Sequence, residues 1–128
     1  MKLLLDTHAF VWIHEAPSKI SPIALASLSN PSNQLSLSIV SIWELQIKIQ
    51  AGKFRFKETL EEVIEIEQTT NGLQILPVTL AHVLKLENLP LHHKDPFDRL
   101  LISQAIVEDM TLVSADANFA NYQVNLLW

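Results

Sequence analysis

Leu3-Leu4-Leu5-Asp6, close to the start of the chain, is three leucines running straight into an acid. So short an apolar run, stopped by a charge, reads as a buried strand ending at the edge of a sheet. Working outward, the pattern recurs. Leu35 to Ser38 is a second short strand, Leu73 to Leu76 a third closed by Pro77, and Thr111 to Val113 a fourth followed by Ser114-Ala115-Asp116. Gln123 to Leu126 reads as a last edge strand.

The segments between carry helix signals. Ser21-Pro22 pairs a serine cap with proline at the first helical position, predicting a helix to about Leu28, and Ser27 to Gln34 is a polar loop. Ser41 to Ala51 is two-sided: Leu45, Ile47 and Ile49 alternate with polar residues as in a strand. Ser41 with Glu44 forms a capping-box pattern, and Gly52 stands where a helix ends, so a helix is expected. Glu58 to Gln68 is amphipathic, with Leu60, Val63 and Ile64 inward and the glutamates toward water. Thr79 caps a helix to about Glu87, Asn88 to Lys94 is a loop, and Asp95-Pro96 opens a helix to about Glu108. A short helical turn covers Asn118 to Ala120. Strands alternating with helices predict an α/β fold around a mainly parallel sheet of four or five strands.

Composition narrows the class. The 128 residues suit one domain, 1–128, with a core of its own. Hydrophobic residues at 48% against charged residues at 18% exclude disorder. The lack of cysteine excludes disulfide frameworks and thiolate metal sites. Only Gly52 and Gly72 are glycines, which excludes a glycine-rich phosphate loop. Lys2 precedes too few apolar residues for a signal peptide, and no stretch approaches the ~18 residues of a membrane span. A soluble, cytoplasmic protein with no membrane partner is expected. The net charge of −5 means the chain does not hold a polyanion by overall charge. A cation or a local basic patch would have to mediate.

Acids stand where such a sheet places its ligands, beyond the carboxyl ends of the strands. Asp6 follows the first strand, Glu44 lies in the helix after the second, Asp95 and Asp98 open a helix, and Asp116 follows the fourth strand. Two carboxylates ~6 Å apart repel by ~3 kcal/mol at an effective dielectric of about 20. Several in one cleft take up protons or hold a cation. An all-oxygen set suits Mg²⁺ or Mn²⁺, which would also bridge an acidic protein to a phosphate. Each acid also has a plain structural role open to it. Glu44 fits the capping box of Ser41, Asp95 an N-cap, Asp98 its reciprocal acid, and Asp116 an Asx-turn.

These stretches, in this order, resemble the PIN-domain nucleases, and within them the VapC-like toxins of bacterial toxin–antitoxin pairs. The likeness rests on Leu3-Leu4-Leu5-Asp6-Thr7-His8, on Ser38-Ile39-Val40-Ser41-Ile42-Trp43-Glu44-Leu45, on Asp95-Pro96-Phe97-Asp98-Arg99-Leu100-Leu101-Ile102 and on Thr111-Leu112-Val113-Ser114-Ala115-Asp116. It implies a three-layer α/β/α domain and Mg²⁺- or Mn²⁺-dependent hydrolysis of RNA phosphodiesters. Asp6, Glu44, Asp98 and Asp116 match the family's acids as catalytic and metal-holding residues, with Asp95 a further metal candidate. Ser114 and Arg99 are substrate-contact candidates, and Ala115 stands where family members often carry a basic residue. The implied partners are an RNA substrate, a small inhibitory antitoxin and a second copy of the chain. A PIN-like binding module without catalysis is the alternative, but it would have lost acids that are all present here. A receiver-type phosphoryl-transfer domain is disfavoured, since no lysine follows Val113 and serines occupy its key places. A haloacid-dehalogenase-like site is disfavoured by His8 where a second aspartate would stand.

Other residues read more plainly. His92-His93 is an exposed loop pair, and His8 and His14 are structural or surface residues. Trp12 and Trp43 are core or interface aromatics, and Leu126-Leu127-Trp128 with Ile20, Ile23 and Leu28 offers an interface. Lys48, Lys53, Arg55 and Lys57 form the one basic cluster, either a contact for RNA phosphates or a solvated helix end and turn.

Overall fold

Leu3, Leu4 and Leu5 are wholly buried and form the middle of the sheet. The computed structural model describes residues 1–128. Its strands are β1 (Lys2–Leu5), β2 (Gln34–Ser38), β3 (Gln74–Leu76), β4 (Thr111–Val113) and β5 (Leu126–Leu127). Its helices are α1 (Thr7–Glu15), α2 (Pro22–Leu28), α3 (Ile39–Gln50), α4 (Leu60–Asn71), α5 (Leu80–Lys85) and α6 (Pro96–Val107). The sheet order is β3-β2-β1-β4-β5 and every pairing is parallel.

Alternation along β1 builds two cores from one strand. Leu3 and Leu5 face a cluster with Leu35, Leu37, Ala9 and Phe10 of α1, Ala24 and Leu28 of α2, and Val63 of α4. Leu4 faces the opposite cluster, with Leu112 and with Leu101, Ile102 and Ala105 of α6. Burial of these side chains supplies the main driving force, at roughly 25 cal/mol per Å² of apolar surface. The result is a three-layer α/β/α arrangement. α3 serves both cores, since Val40 packs on one and Leu45 on the other.

The registers fix the edge where function gathers. Leu5 pairs with Leu37 on one side and Val113 on the other, so Asp6, Ser38 and Ser114 leave the sheet side by side. The chain steps from β1 to β2 in one direction and places β4 in the other. This makes β1/β4 a topological switch point, the usual place for a ligand crevice.

Several boundaries differ from expectation. α3 begins at Ile39, capped by Ser38, whose Oγ accepts the Val40 amide at 3.0 Å. Ser41 is therefore inside the helix and buried, not its cap. α4 is displaced toward the C-terminus. Thr59 and Glu62 form its capping box, and Gly72 ends it at φ +65°. The water-facing glutamate run is broken by Glu67, which is buried and accepts from the Asn71 amide. β5 is shorter and later than Gln123 to Leu126, because a 3-10 turn over Ala117–Asn121 leads to buried Tyr122 before the chain reaches the sheet. Ile20 and Leu28, expected at an interface, lie in the core, while Trp128 packs against Trp12 at 5.6 Å between ring centroids.

Candidate active site

Each acid is placed by a local rule of chain folding. Asp6 ends β1 and caps α1, its Oδ1 accepting the Ala9 amide at 2.7 Å. It is only 6% exposed. Burial pushes its carboxyl above the usual range and the like charge of Asp116 adds to this, against the Ser114 hydroxyl, the Ala9 amide and His8. Glu44 projects from α3 with both oxygens engaged. The Thr7 hydroxyl donates to Oε1 at 2.7 Å, and Lys48 Nζ lies 3.3 Å from Oε2. The Thr7 oxygen also lies 3.1 Å from the buried Ser41 hydroxyl, so α1 and α3 are joined at the site.

Asp98 stands in the first turn of α6, where the helix dipole favours a negative charge. Its Oδ2 lies 2.9 Å from His93 Nε2. Burial pushes its carboxyl up to about 6; Asp95, Glu44 and Asp116 add like charge, and His93 opposes them. Asp116 caps the 3-10 turn through Oδ1, which accepts the Asn118 amide at 2.9 Å. Its Oδ2 faces His93 Nε2 at 3.9 Å. The ligand atoms of His93, Asp98 and Asp116 all lie within 4.8 Å of one another.

The edge of the sheet therefore gathers Asp98 and Asp116 closely. Asp6 and Glu44 lie outside that triangle but within reach of its field, Asp6 beside Asp116 and Glu44 beside Asp98. Asp95 is the N-cap of α6, its Oδ1 accepting from Phe97 and Asp98 amides at 2.8 and 3.3 Å. Arg99, the other substrate-contact candidate beside Ser114, is held by the protein itself. Its guanidinium donates to the Pro90, Leu86 and Leu89 carbonyls and to the Tyr122 hydroxyl, stitching a loop to α6. Ser114 is buried, and its Oγ accepts the Asp116 amide at 3.0 Å, so it orders the two neighbouring acids.

Sequence reasoning passed over Thr7, Ser41 and His93. His93 corrects the expectation of an exposed pair. His92 is exposed with its ring against Tyr122, while His93 turns inward. On a non-helical loop, successive side chains point to opposite sides, so a pair of histidines is one in and one out. Nδ1 of His93 accepts the Asp95 amide at 3.3 Å, which leaves the ring proton of a neutral imidazole on Nε2, toward the carboxylates. That nitrogen is buried and makes no aligned hydrogen bond, despite its short approach to Asp98. The donor set is one imidazole nitrogen, from His93, with carboxylate oxygens and no sulfur, brought together against the carboxylates' own repulsion. It fits a hard divalent cation.

The fold has close parallels among solved structures. One is VapBC2 from Rickettsia felis bound to a DNA fragment from their promoter, at TM-score 0.72 and 20% identity, covering 99% of this chain and 98% of that one. DNA-bound VapBC from Salmonella typhimurium aligns at TM-score 0.67 and 14% identity, over 99% and 97% of the two chains. VapBC-1 from nontypeable Haemophilus influenzae aligns at 0.65 and 18%, over 99% and 97%. No curated protein matches by sequence. The family model for the PIN domain matches residues 3–125, from within β1 to just before β5, and the chain belongs to the PIN-domain family.

Proposed function

We propose that this protein is a metal-dependent endoribonuclease, the toxin of a VapC-like toxin–antitoxin pair, acting in the cytoplasm and restrained by a small antitoxin. PIN domains are in general nucleases, and the similar structures are VapBC complexes. The observation that carries the reading is the meeting of Asp98 and Asp116, with Asp6 and Glu44 in electrostatic contact, at the switch point of the sheet.

Asp98 and Asp116 would hold Mg²⁺ or Mn²⁺, with Asp6 and Glu44 completing the shell directly or through water. A bound divalent ion supplies Lewis acidity toward a phosphate oxygen and a more acidic water. The chain does the positioning. Thr7 and Lys48 fix the Glu44 carboxylate, Ser114 and the Asn118 amide fix Asp116, and the Ala9 amide fixes Asp6. His93 Nε2 lies at the rim of the carboxylates, 2.9 Å from Asp98 Oδ2 and 3.9 Å from Asp116 Oδ2. Purified protein with Mn²⁺ should cut RNA, and excess chelator should stop it. Asp6→Asn should abolish cleavage while leaving circular dichroism unchanged; cleavage that survives both would refute the reading.

A second copy of the chain fits an exposed apolar surface. Ile39, Trp43 and Ile47 recur every four residues on α3, with Trp43 59% exposed against Phe97. On α5, Leu80 and Leu84 are 72% and 59% exposed. Apolar rows of this kind mark interaction surfaces. No helix is long and apolar enough to cross a membrane.

A further inference from the structure

The sheet register, carried one residue past the strands, brings Trp128 to the edge that holds the acids. Leu5 pairs with Val113, and Val113 with Leu127. The ladder continues beyond them, since the Asp6 amide donates to the Val113 carbonyl and the Ser114 amide to the Leu127 carbonyl, at 3.0 and 3.2 Å. Asp6, Ser114 and Trp128 therefore leave three neighbouring strands at one edge. Asp6 caps α1, and residues 8 and 12 of that helix share a face, as a spacing of four requires. The His8 ring lies 5.8 Å from Trp12, tilted by 43°, and Trp12 lies 5.6 Å from Trp128, tilted by 53°. His8 is close enough to Asp6 for its charge to act on that carboxyl. Three rings thus run in a row from beside Asp6 to the end of β5.

The row is anchored at one end and open at the other. Trp12 and Trp128 are half-buried and pack on the core cluster that holds Leu3, Leu5 and Phe10, which fixes their rings. His8 is exposed and in no ion pair. A ring backed by fixed neighbours offers its face at little cost in conformational entropy. The acids have little free positive charge beside them. Lys48 pairs with Glu44, Arg99 is bound to carbonyls, Ala115 is neutral, and the chain carries a net charge of −5. Apart from a bound cation, affinity for RNA at this edge falls to uncharged contact. Nucleobases supply it, since every base has a π-face that stacks on aromatic side chains.

We propose that His8 and Trp12 form a stacking site for a nucleobase of the substrate RNA, beside the acids that take its phosphate. This rests on the nuclease reading and adds which residues hold a base. The rings act by their faces and not by charge, so His8→Phe keeps the site and His8→Ala loses it. Trp128 acts through Trp12, as a positioning residue.

The test uses two fluorescein-labelled strands of equal length, an oligoadenylate and an abasic ribose-phosphate strand, which carry the same phosphates and differ only in their bases. Anisotropy is read with an Asp6→Asn parent, which leaves RNA intact. The parent should bind the oligoadenylate more tightly than the abasic strand by about 5- to 100-fold, the usual range for a base stacked on an aromatic side chain. His8→Ala in that parent should shrink the preference several-fold and leave affinity for the abasic strand unchanged. His8→Phe should keep the preference. Trp12→Leu, with circular dichroism matching the parent, should shrink it as His8→Ala does. Equal loss of affinity for both strands in His8→Ala would assign His8 a structural or electrostatic role and overturn the proposal, and so would an unchanged preference. A parent that binds the two strands equally, or neither, would also overturn it, and Mn²⁺-dependent cleavage of RNA by the unmutated chain would then leave the nuclease reading standing. If the parent binds neither strand and the unmutated chain cuts no RNA, both fall together.

Discussion

The Thr7 hydroxyl has one proton, and at 2.7 Å from Glu44 Oε1 it donates to the carboxylate that α3 carries to the site. Removing it should leave the core intact and let Glu44 rotate. Thr7→Val should reduce Mn²⁺-dependent RNA cleavage by about 10- to 100-fold, the usual effect of losing a partner that orients a ligand. Thr7→Ser should restore most of it. Equal initial rates in all three would remove Thr7 from the machinery. Asp98 gives a prediction in pH. Its carboxyl rises from 3.8 to about 6 on folding, so between those values the folded chain binds more protons than the unfolded one. Stability of the metal-free protein should therefore fall as pH rises through that window and level off above it. Asp95, Glu44, Asp116 and His93 are the charged or titratable groups around it. Thermal midpoints in chelator should show the fall, Mn²⁺ should remove it, and Asp98→Asn should flatten it, with Asp6 contributing what remains. A rise over this window would contradict the burial of Asp98. Asp6, Asp98 and Asp116 were legible because each follows a strand or opens a helix, and Glu44 because it lies in the helix that follows the second strand. His93 was not, since nothing in the sequence says which of two adjacent loop histidines turns inward.

Helix ends show where local pattern and tertiary packing part. Ser41 and Glu44 have the spacing of a capping box, but the same spacing occurs inside any helix. Burial of Ser41 against Thr7 decided the matter, and Ser38 took the cap. In α4 the capping box falls on Thr59 and Glu62, inside a run of charges that offered several equivalent starts. Thr59→Ala should lower stability by about 1 kcal/mol in urea denaturation, with cleavage unchanged. Gly72→Ala should cost about 1–2 kcal/mol, since φ is +65° and no neighbouring atom meets an added Cβ. A neutral result at both positions would mean that α4 is held by Val63 and its core contacts alone. The last strand was misplaced for another reason. The pull of buried Tyr122, whose hydroxyl accepts the His93 amide at 2.9 Å, is a long-range contact that no local pattern records.

Across the whole molecule, one parallel sheet with β1 at its centre turns the chain order of the acids into a shared site. The order β3-β2-β1-β4-β5 sets the ends of β1 and β4 beside each other, and α6 returns its first turn to that same edge. The α/β alternation made this architecture readable; the strand order came only with the coordinates. The apolar rows on α3 and α5 carry the proposal of a second copy. Leu80→Glu/Leu84→Glu should shift sedimentation from dimer to monomer without unfolding the chain, and an unmodified protein that sediments as a monomer would end that proposal. The claim on which the functional account turns is that this edge takes up a divalent ion. It is tested most directly by electron paramagnetic resonance of free Mn²⁺ during titration with protein. Uptake by the unmodified chain and none by Asp98→Asn/Asp116→Asn, with both folded, is the predicted result. Equal uptake by the two would contradict it.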